Sequence, residues 1–573
     1  MLMWRSFQLF AFIFIFCRFT DAASHSPRIG PQGSGILIEI EPTADYPDAI
    51  AENSLGLACF DTVRELRSFF ENRNLPFEQE LVRKVQGRKC HIFYEPTVAG
   101  FRASPDDEPV EELYTNVDLL KFISKNAKSY GYITDIIKTF MANVSRPLAF
   151  HLGISLEHSP EVYDSAIRFH FPESGHRIYL HDARLKEGRE WVQDYLKGGS
   201  ANGKRIILVT RNSYEGDPDK AGLNRSLIES FKTPQFVRSK LSWEGGDLQF
   251  VRNPRQPVKM LLFYGGSAFN YWGTNLTEKE YAYVLKLEFG ADQAIDFSLV
   301  APHVDYFLSF LPQERIALVG MPLVGDYDVA CDALNLLKAE FSVDVPSEIL
   351  EIEKILYDRK FSSKKVRERL LQAVNAAKEV HADWGLPPMN SLFLAELNKF
   401  LATRCKGESY GCFEDGRLSI KAQKLLLEEN PDLLRDLVDV ARIIRASQDF
   451  VLSCLMIIEG QMRELDPERK ALRESKVREL QKLGFRVVRM PQIGGESDLQ
   501  SDWAGISYVN NLVVDNAFFL SIFGLDSLER RLVCLLEKEL PDRYQIIPTF
   551  AQHMILYNGG IHCLFGIVRR VSE

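Results

Sequence analysis

Four short stretches of this 573-residue chain set polar or reactive side chains among apolar neighbours. They are Trp191-Val192-Gln193-Asp194, Trp243-Glu244-Gly245-Gly246-Asp247, Pro302-His303-Val304-Asp305 and Gly559-Gly560-Ile561-His562-Cys563. The glycine pair before Cys563 leaves backbone room for a ligand beside a thiol. If the His303 segment is extended, His303 and Asp305 point to one face, where a carboxylate prepares an imidazole for proton transfer. Asp194 places a carboxylate near the flat ring of Trp191. Singly, each stretch has a plainer reading: a structural hydrogen-bond pair, a buried thiol, a turn glutamate, a surface aspartate beside a core tryptophan. His562 reads as a structural neighbour of Cys563, because adjacent strand residues face opposite ways. Taken together they suit a guanidinium. That group is planar, cationic and rich in N–H donors, so carboxylates grip it bidentately, and its carbon is open to a thiolate once its charge is held.

In this order, the motifs resemble those of the guanidine-modifying enzymes of the arginine deiminase and amidinotransferase superfamily, and in particular the peptidylarginine deiminase catalytic domain. The likeness is carried by WVQD at 191–194, HVDYFLSFLP at 303–312 and GGIHC at 559–563, followed by Val568-Arg569-Arg570, and spans about 150–573. The resemblance implies a pentein-type, five-fold pseudo-symmetric β/α propeller and hydrolysis of arginine residues in proteins or peptides to citrulline and ammonia. It implies Cys563 as nucleophile, His303 as general acid and then base, Asp194 and Asp305 as holders of the guanidinium nitrogens, and Trp191 against the arginine stem. It also puts Glu244 and Arg211 at the substrate site, although Glu244 in EGGD looks more like the free-arginine and agmatine branches, where that acid supports the histidine. A deiminase of free arginine or agmatine, an amidinotransferase, and a non-catalytic guanidinium-binding protein are the alternatives. A papain-like protease would have its cysteine before its histidine, the reverse of this chain. No organic or redox cofactor is implied. Calcium, used by the animal enzymes, is doubtful here, because Lys197 and Gln249 stand where acidic ligands are expected.

The elements that must position these residues read as α/β. A lead-in over 24–35 precedes a mixed segment with a strand at Ile36–Ile40 and a helix at Thr62–Asn72. From about 146 short runs of strand length follow: 148–156, 166–171, 177–180, 205–210, 259–264 and 315–319. From 327 to 484 the period becomes helical, with Ser362 or Ser363 as a cap and Gly484 as a stop. Strands return over 485–489, 506–523 and 544–550, with a helix opened by the Asp526-x-x-Glu529 capping signal between the last two. The expected organisation is a leader over 1–23, an N-terminal α/β extension over 24–145, and a catalytic domain over 146–573 with a helical insertion at about 327–484.

Composition narrows the partners. With 46% hydrophobic and 26% charged residues the chain is an ordinary globular one, and a net charge of −9 gives no support for nucleic-acid binding. The apolar run from Phe7 to Cys17 after a single arginine reads as a signal peptide, too short for a membrane span, so the mature protein is expected to be exported and free of the membrane. Of the nine cysteines, Cys405 and Cys412 are close enough to bridge a loop, and the default for the others is a buried thiol. Sequons stand at Asn143, Asn224 and Asn275.

Overall fold

The computed structural model describes residues 54–116, 132–182, 196–211, 236–266, 276–380, 450–493, 505–551 and 560–570, apart from short gaps within these ranges. Four short strands outside them are also described: Arg28–Ile29, Ile36–Glu39, Phe413–Glu414 and Arg417–Leu418. The leader, Trp191, Asp194, the sequons at 224 and 275 and the Cys405/Cys412 pair lie outside the described residues.

Five of the sheets repeat one order: an antiparallel pair of strands, a crossover, and a third strand parallel to the second. Leu196–Ala201, Lys204–Val209 and Phe236–Arg238 form the first unit. Leu248–Asn253, Gln256–Tyr264 and Gln293–Asp296 form the second. Leu308–Phe310, Ile316–Pro322 and Arg486–Ile493 form the third, and Leu512–Val514, Ala517–Ile522 and Gln545–Phe550 the fourth. The fifth joins both ends of the chain: Gly566–Arg569 runs antiparallel to Val110–Asn116, which is parallel to Ala149–Ile154. A parallel step needs a long crossover, and the helices Tyr132–Asn143, Glu278–Phe289 and Asp526–Glu539 lie within three of them. In the third unit the crossover is the chain between Pro322 and Arg486, which includes the helices Tyr327–Ala339, Ser347–Leu356, Lys364–Val380 and Pro467–Leu483. The buried faces of the first three, with residues such as Leu334, Ile352, Leu370 and Val374, enter the same apolar core as Phe150, Leu318 and Phe519, whereas Val477 and Leu480 of the last pack in a cluster with Phe263 and Phe307.

The expected boundary at 145/146 therefore falls inside a sheet. Val110–Asn116 lies between strands from either end of the catalytic region, and Arg102–Ala103 pairs with Leu196–Ala201. Among the described residues, the strand pair Phe413–Glu414/Arg417–Leu418 stands apart from the repeat, as does the antiparallel sheet built from Ile36–Glu39, Leu55–Cys59, Val82–Val85 and Arg88–Tyr94. Helix Val63–Asn72, begun by a capping box between Thr62 and Glu65, covers it with Phe69 and Phe70. The sheet docks on helix Glu278–Phe289, where Arg83 pairs with Glu280, and Tyr94 donates to the buried Glu288 at 2.8 Å. Gly290 ends that helix at φ 65°, and a Cβ there would lie 2.0 Å from the Phe101 carbonyl, so only glycine fits.

Several local expectations change. Residues 166–171 are not a strand: Pro160–His170 is a helix, with Pro160 at its first position and Tyr163 and Ala166 buried at helical spacing. The segment 506–523 is broken into three strands by turns at 508–511 and 515–516. Asp526 does not cap its helix, and Glu529 instead accepts from Tyr508 Oη at 3.0 Å and from the Phe523 N–H. Cys59 and Cys90 are not thiols; they face each other on adjacent strands and form a disulfide. Ser363 does cap, accepting from the Val366 N–H at 3.3 Å, and Gly484 does stop its helix, at φ 102°.

Candidate active site

Four of the five units carry polar residues at one topological position, just before their first strand. Glu244 and Asp247 precede Leu248, His303 and Asp305 precede Leu308, Asn510 precedes Leu512, and Cys563 precedes Gly566. In the first unit the sequence puts Asp194 before Leu196, though Asp194 and Trp191 lie outside the described residues. A shared topology thus brings side chains that are hundreds of residues apart to one end of neighbouring sheets.

Cys563 lies in the short helix Ile561–Leu564 and is buried. Its Sγ donates to Asp305 Oδ2 at 3.3 Å and accepts from Asn510 Nδ2 at 3.0 Å. Asp305 is 1% exposed. The same Oδ2 is 3.1 Å from His562 Nδ1, whereas Oδ1 is buried with no hydrogen-bond partner among the described residues. Burial opposes the charge on Asp305, but the hydrogen bond from His562, the charges of His562 and His303 and the bond from the Cys563 thiol outweigh it and hold the carboxyl below its ordinary range. An anionic carboxylate with one oxygen unused, 1% exposed and beside a thiol, is a receptor for a cation with N–H donors.

His303 departs from expectation. Val304–Tyr306 is a 3-10 turn, and His303 is the extended residue that precedes it, so His303 and Asp305 do not share a strand face. The carboxylate next to the imidazole is Glu244, with Oε2 2.5 Å from His303 Nε2. Glu244 is buried at the start of the Gly245–Asp247 turn. This pairing is the one that the EGGD stretch suggested by its likeness to the free-arginine and agmatine branches. Arg211 lies just after the second strand of the first unit, its N–H bonded to the carbonyl of Leu241, two residues before Trp243, at 3.0 Å. Trp243 is itself buried, so this tryptophan belongs to the core.

Asn510 is the residue that sequence reasoning missed. The available signal was a polar pair, Asn510-Asn511, inside an otherwise apolar run. It also explains Gly560: a Cβ there would lie 2.5 Å from Asn510 Oδ1, so the room left by this glycine is filled by Asn510 and not by a ligand. Lys197 and Gln249 are engaged with the fold, Lys197 Nζ donating to the Leu248 carbonyl at 2.9 Å and Gln249 Nε2 to that of Leu308 at 2.6 Å. Among the described residues, no three His, Cys, Asp or Glu side chains gather as a metal site, and no helix is long and apolar enough to cross a membrane.

With this geometry in hand, residues 439–565 match the family model described as Porphyromonas-type peptidyl-arginine deiminase. This part of the chain carries a domain of that family. The match includes Asn510 and Cys563; Glu244, His303 and Asp305 precede it. Among solved structures, the agmatine deiminase of C. jejuni is 13% identical with a TM-score of 0.43, covering 82% of this chain and 97% of its own. The agmatine deiminase of Enterococcus faecalis is 10% identical with a TM-score of 0.41, covering 83% and 98%. No curated protein matches the chain by sequence.

Proposed function

We propose that this protein hydrolyses the guanidinium of arginine residues in proteins or peptides, giving citrulline and ammonia through a covalent intermediate on Cys563. The observation that carries the reading is Asp305: a buried carboxylate with one oxygen unbonded among the described residues and the other 3.3 Å from the Cys563 sulfur. A guanidinium bound to the first of these oxygens brings its carbon to the thiol. The Cys563 thiolate forms the S–C bond, and the C–N bond to the departing nitrogen breaks as His303 gives it a proton. Water then attacks the same carbon as His303 takes one of its protons and the C–O bond forms; the C–S bond breaks as the remaining hydroxyl proton passes to solvent, which releases the ureido product and regenerates the thiolate and the protonated His303. Glu244 holds His303 for both transfers. Asp194 is the second carboxylate on the guanidinium, with Trp191 along the stem and Arg211 toward the substrate backbone. In this reading the five repeated units close into a five-fold ring with the site at its axis, a closure supported by the common strand order and by the fifth unit's use of both chain ends. Export is part of the proposal, supported by the apolar run at 7–17 and the Cys59–Cys90 disulfide.

A second reading, deimination of agmatine or free arginine, is favoured by the Glu244–His303 pair, because EGGD resembles those branches. Incubation with an end-blocked arginine peptide, free arginine and agmatine, followed by mass spectrometry and ammonia release, separates them. The peptide alone should be converted under the leading reading. Conversion of agmatine alone would replace it, and conversion of none would sink both.

A further inference from the structure

We propose that Asn510 is a further catalytic residue, which grips Cys563 at two points and stabilises its thiolate. This inference rests on the reading of Cys563 as nucleophile. The side-chain amide of Asn510 donates to Cys563 Sγ at 3.0 Å, and its Oδ1 accepts the Cys563 backbone N–H at 3.3 Å. One planar amide thereby fixes both the backbone and the sulfur of the same residue. Asn510 is 1% exposed and is held in turn: its carbonyl accepts from Ser521 Oγ at 3.1 Å and its N–H bonds the Ser507 carbonyl at 3.3 Å. Gly560 is packed against it so closely that no side chain fits between them.

The chemistry follows from what an amide N–H can do. It only donates, so it favours the form of the sulfur with the greater negative charge. Ionisation of Cys563 is opposed by the Asp305 carboxylate 3.3 Å away, a like charge in a dry site. Among the described residues, His562 is bonded to the same carboxylate, and His303, paired with Glu244, acts on it by its charge. Among these, Asn510 gives the sulfur a neutral donor whose strength does not change with pH. It occupies in the fourth unit the position that Glu244, His303 and Cys563 occupy in theirs.

The test uses the full chain with Asn510→Ala and Asn510→Asp. The aspartate keeps the size and the acceptor for the Cys563 N–H but replaces the donor with an anion. Alkylation of Cys563 by iodoacetamide is followed against pH by mass spectrometry of the peptide that bears it, which separates it from the free thiols Cys331, Cys454 and Cys534. The alkylation midpoint should rise by about one pH unit in Asn510→Ala, the order expected for loss of one charge-assisted hydrogen bond, and further in Asn510→Asp. Turnover should fall at least about tenfold in kcat with a smaller change in KM. An unchanged midpoint in a folded variant, even with lower stability or activity, overturns the proposal, because a purely structural role would not move the thiol's titration. Cys563→Ala separates the two readings: full activity in that variant sinks the nucleophile itself, whereas an inactive Cys563→Ala protein with an unshifted Asn510 series sinks only the role of Asn510.

Discussion

Glu244 and His303, 59 positions apart, meet with Oε2 2.5 Å from Nε2, each just before the first strand of its own sheet. A buried carboxylate at that distance favours the protonated imidazole. In a reaction that needs His303 as a proton donor, activity is lost as pH rises and the histidine deprotonates. Glu244→Gln keeps the shape and removes the charge, so the alkaline limb of the kcat profile should move to lower pH. A profile that keeps its alkaline limb in place would show that Glu244 does not tune the histidine.

Asp305→Asn should cost about ten- to more than a hundredfold in kcat/KM, since it removes a charge-assisted bond of roughly 1.5–3 kcal/mol. The carboxylate is buried beside the thiol, with one oxygen unbonded among the described residues. Steady-state kinetics on an arginine peptide or agmatine decide; near wild-type values would mean that no guanidinium rests there.

The Cys59–Cys90 disulfide closes a sequence separation of 31 residues around helix Val63–Asn72. Loop-closure entropy puts its contribution at about 3–4 kcal/mol. Cys59→Ala/Cys90→Ala should lower the urea midpoint, and reductant should lower that of the wild type but leave the double variant unchanged. Equal midpoints for oxidised wild type and double variant would remove the bridge from the stability of this sheet.

His151 is stacked between Tyr114 and Tyr179, with Nδ1 2.9 Å from His181 Nε2 and with Glu112 and Arg205 nearby. Burial, then His181 and the Arg205 and Arg177 cations, push it down to about 3. The unfolded chain therefore binds the extra proton between pH 6.5 and 3, so the His151 contribution is intact above 6.5 and is lost as pH falls through that window, by up to about 1.4 kcal/mol per pH unit. Urea midpoints measured from pH 7 to 4 should fall less steeply in His151→Phe. An equal slope in both proteins would place the acid sensitivity elsewhere.

Chelation should leave activity intact. Lys197 and Gln249, at the positions where calcium ligands were expected, are bonded to backbone carbonyls. An assay with excess EDTA checks this; loss of activity restored by calcium would require ligands elsewhere in the chain.

The sequence by itself determined many of the elements and picked out most of the candidate reactive residues, but not the helix Pro160–His170 or Asn510. Periodicity and capping set helix Val63–Asn72 and the stop at Gly484, because those signals act within a few residues. The His303, Asp305 and Cys563 motifs stood out because reactive side chains among apolar ones are costly without a reason. What only the tertiary structure decided is who touches whom. Sequence neighbours suggested His303 with Asp305; the 3-10 turn separates them and gives His303 to Glu244, and Asp305 to His562 and Cys563. The partners of Asn510 and the Cys59–Cys90 bridge were hidden for the same reason. Each gains its role from a partner brought close by strand pairing or by the repeated sheet order, and local propensity carries no information about a partner tens of residues away.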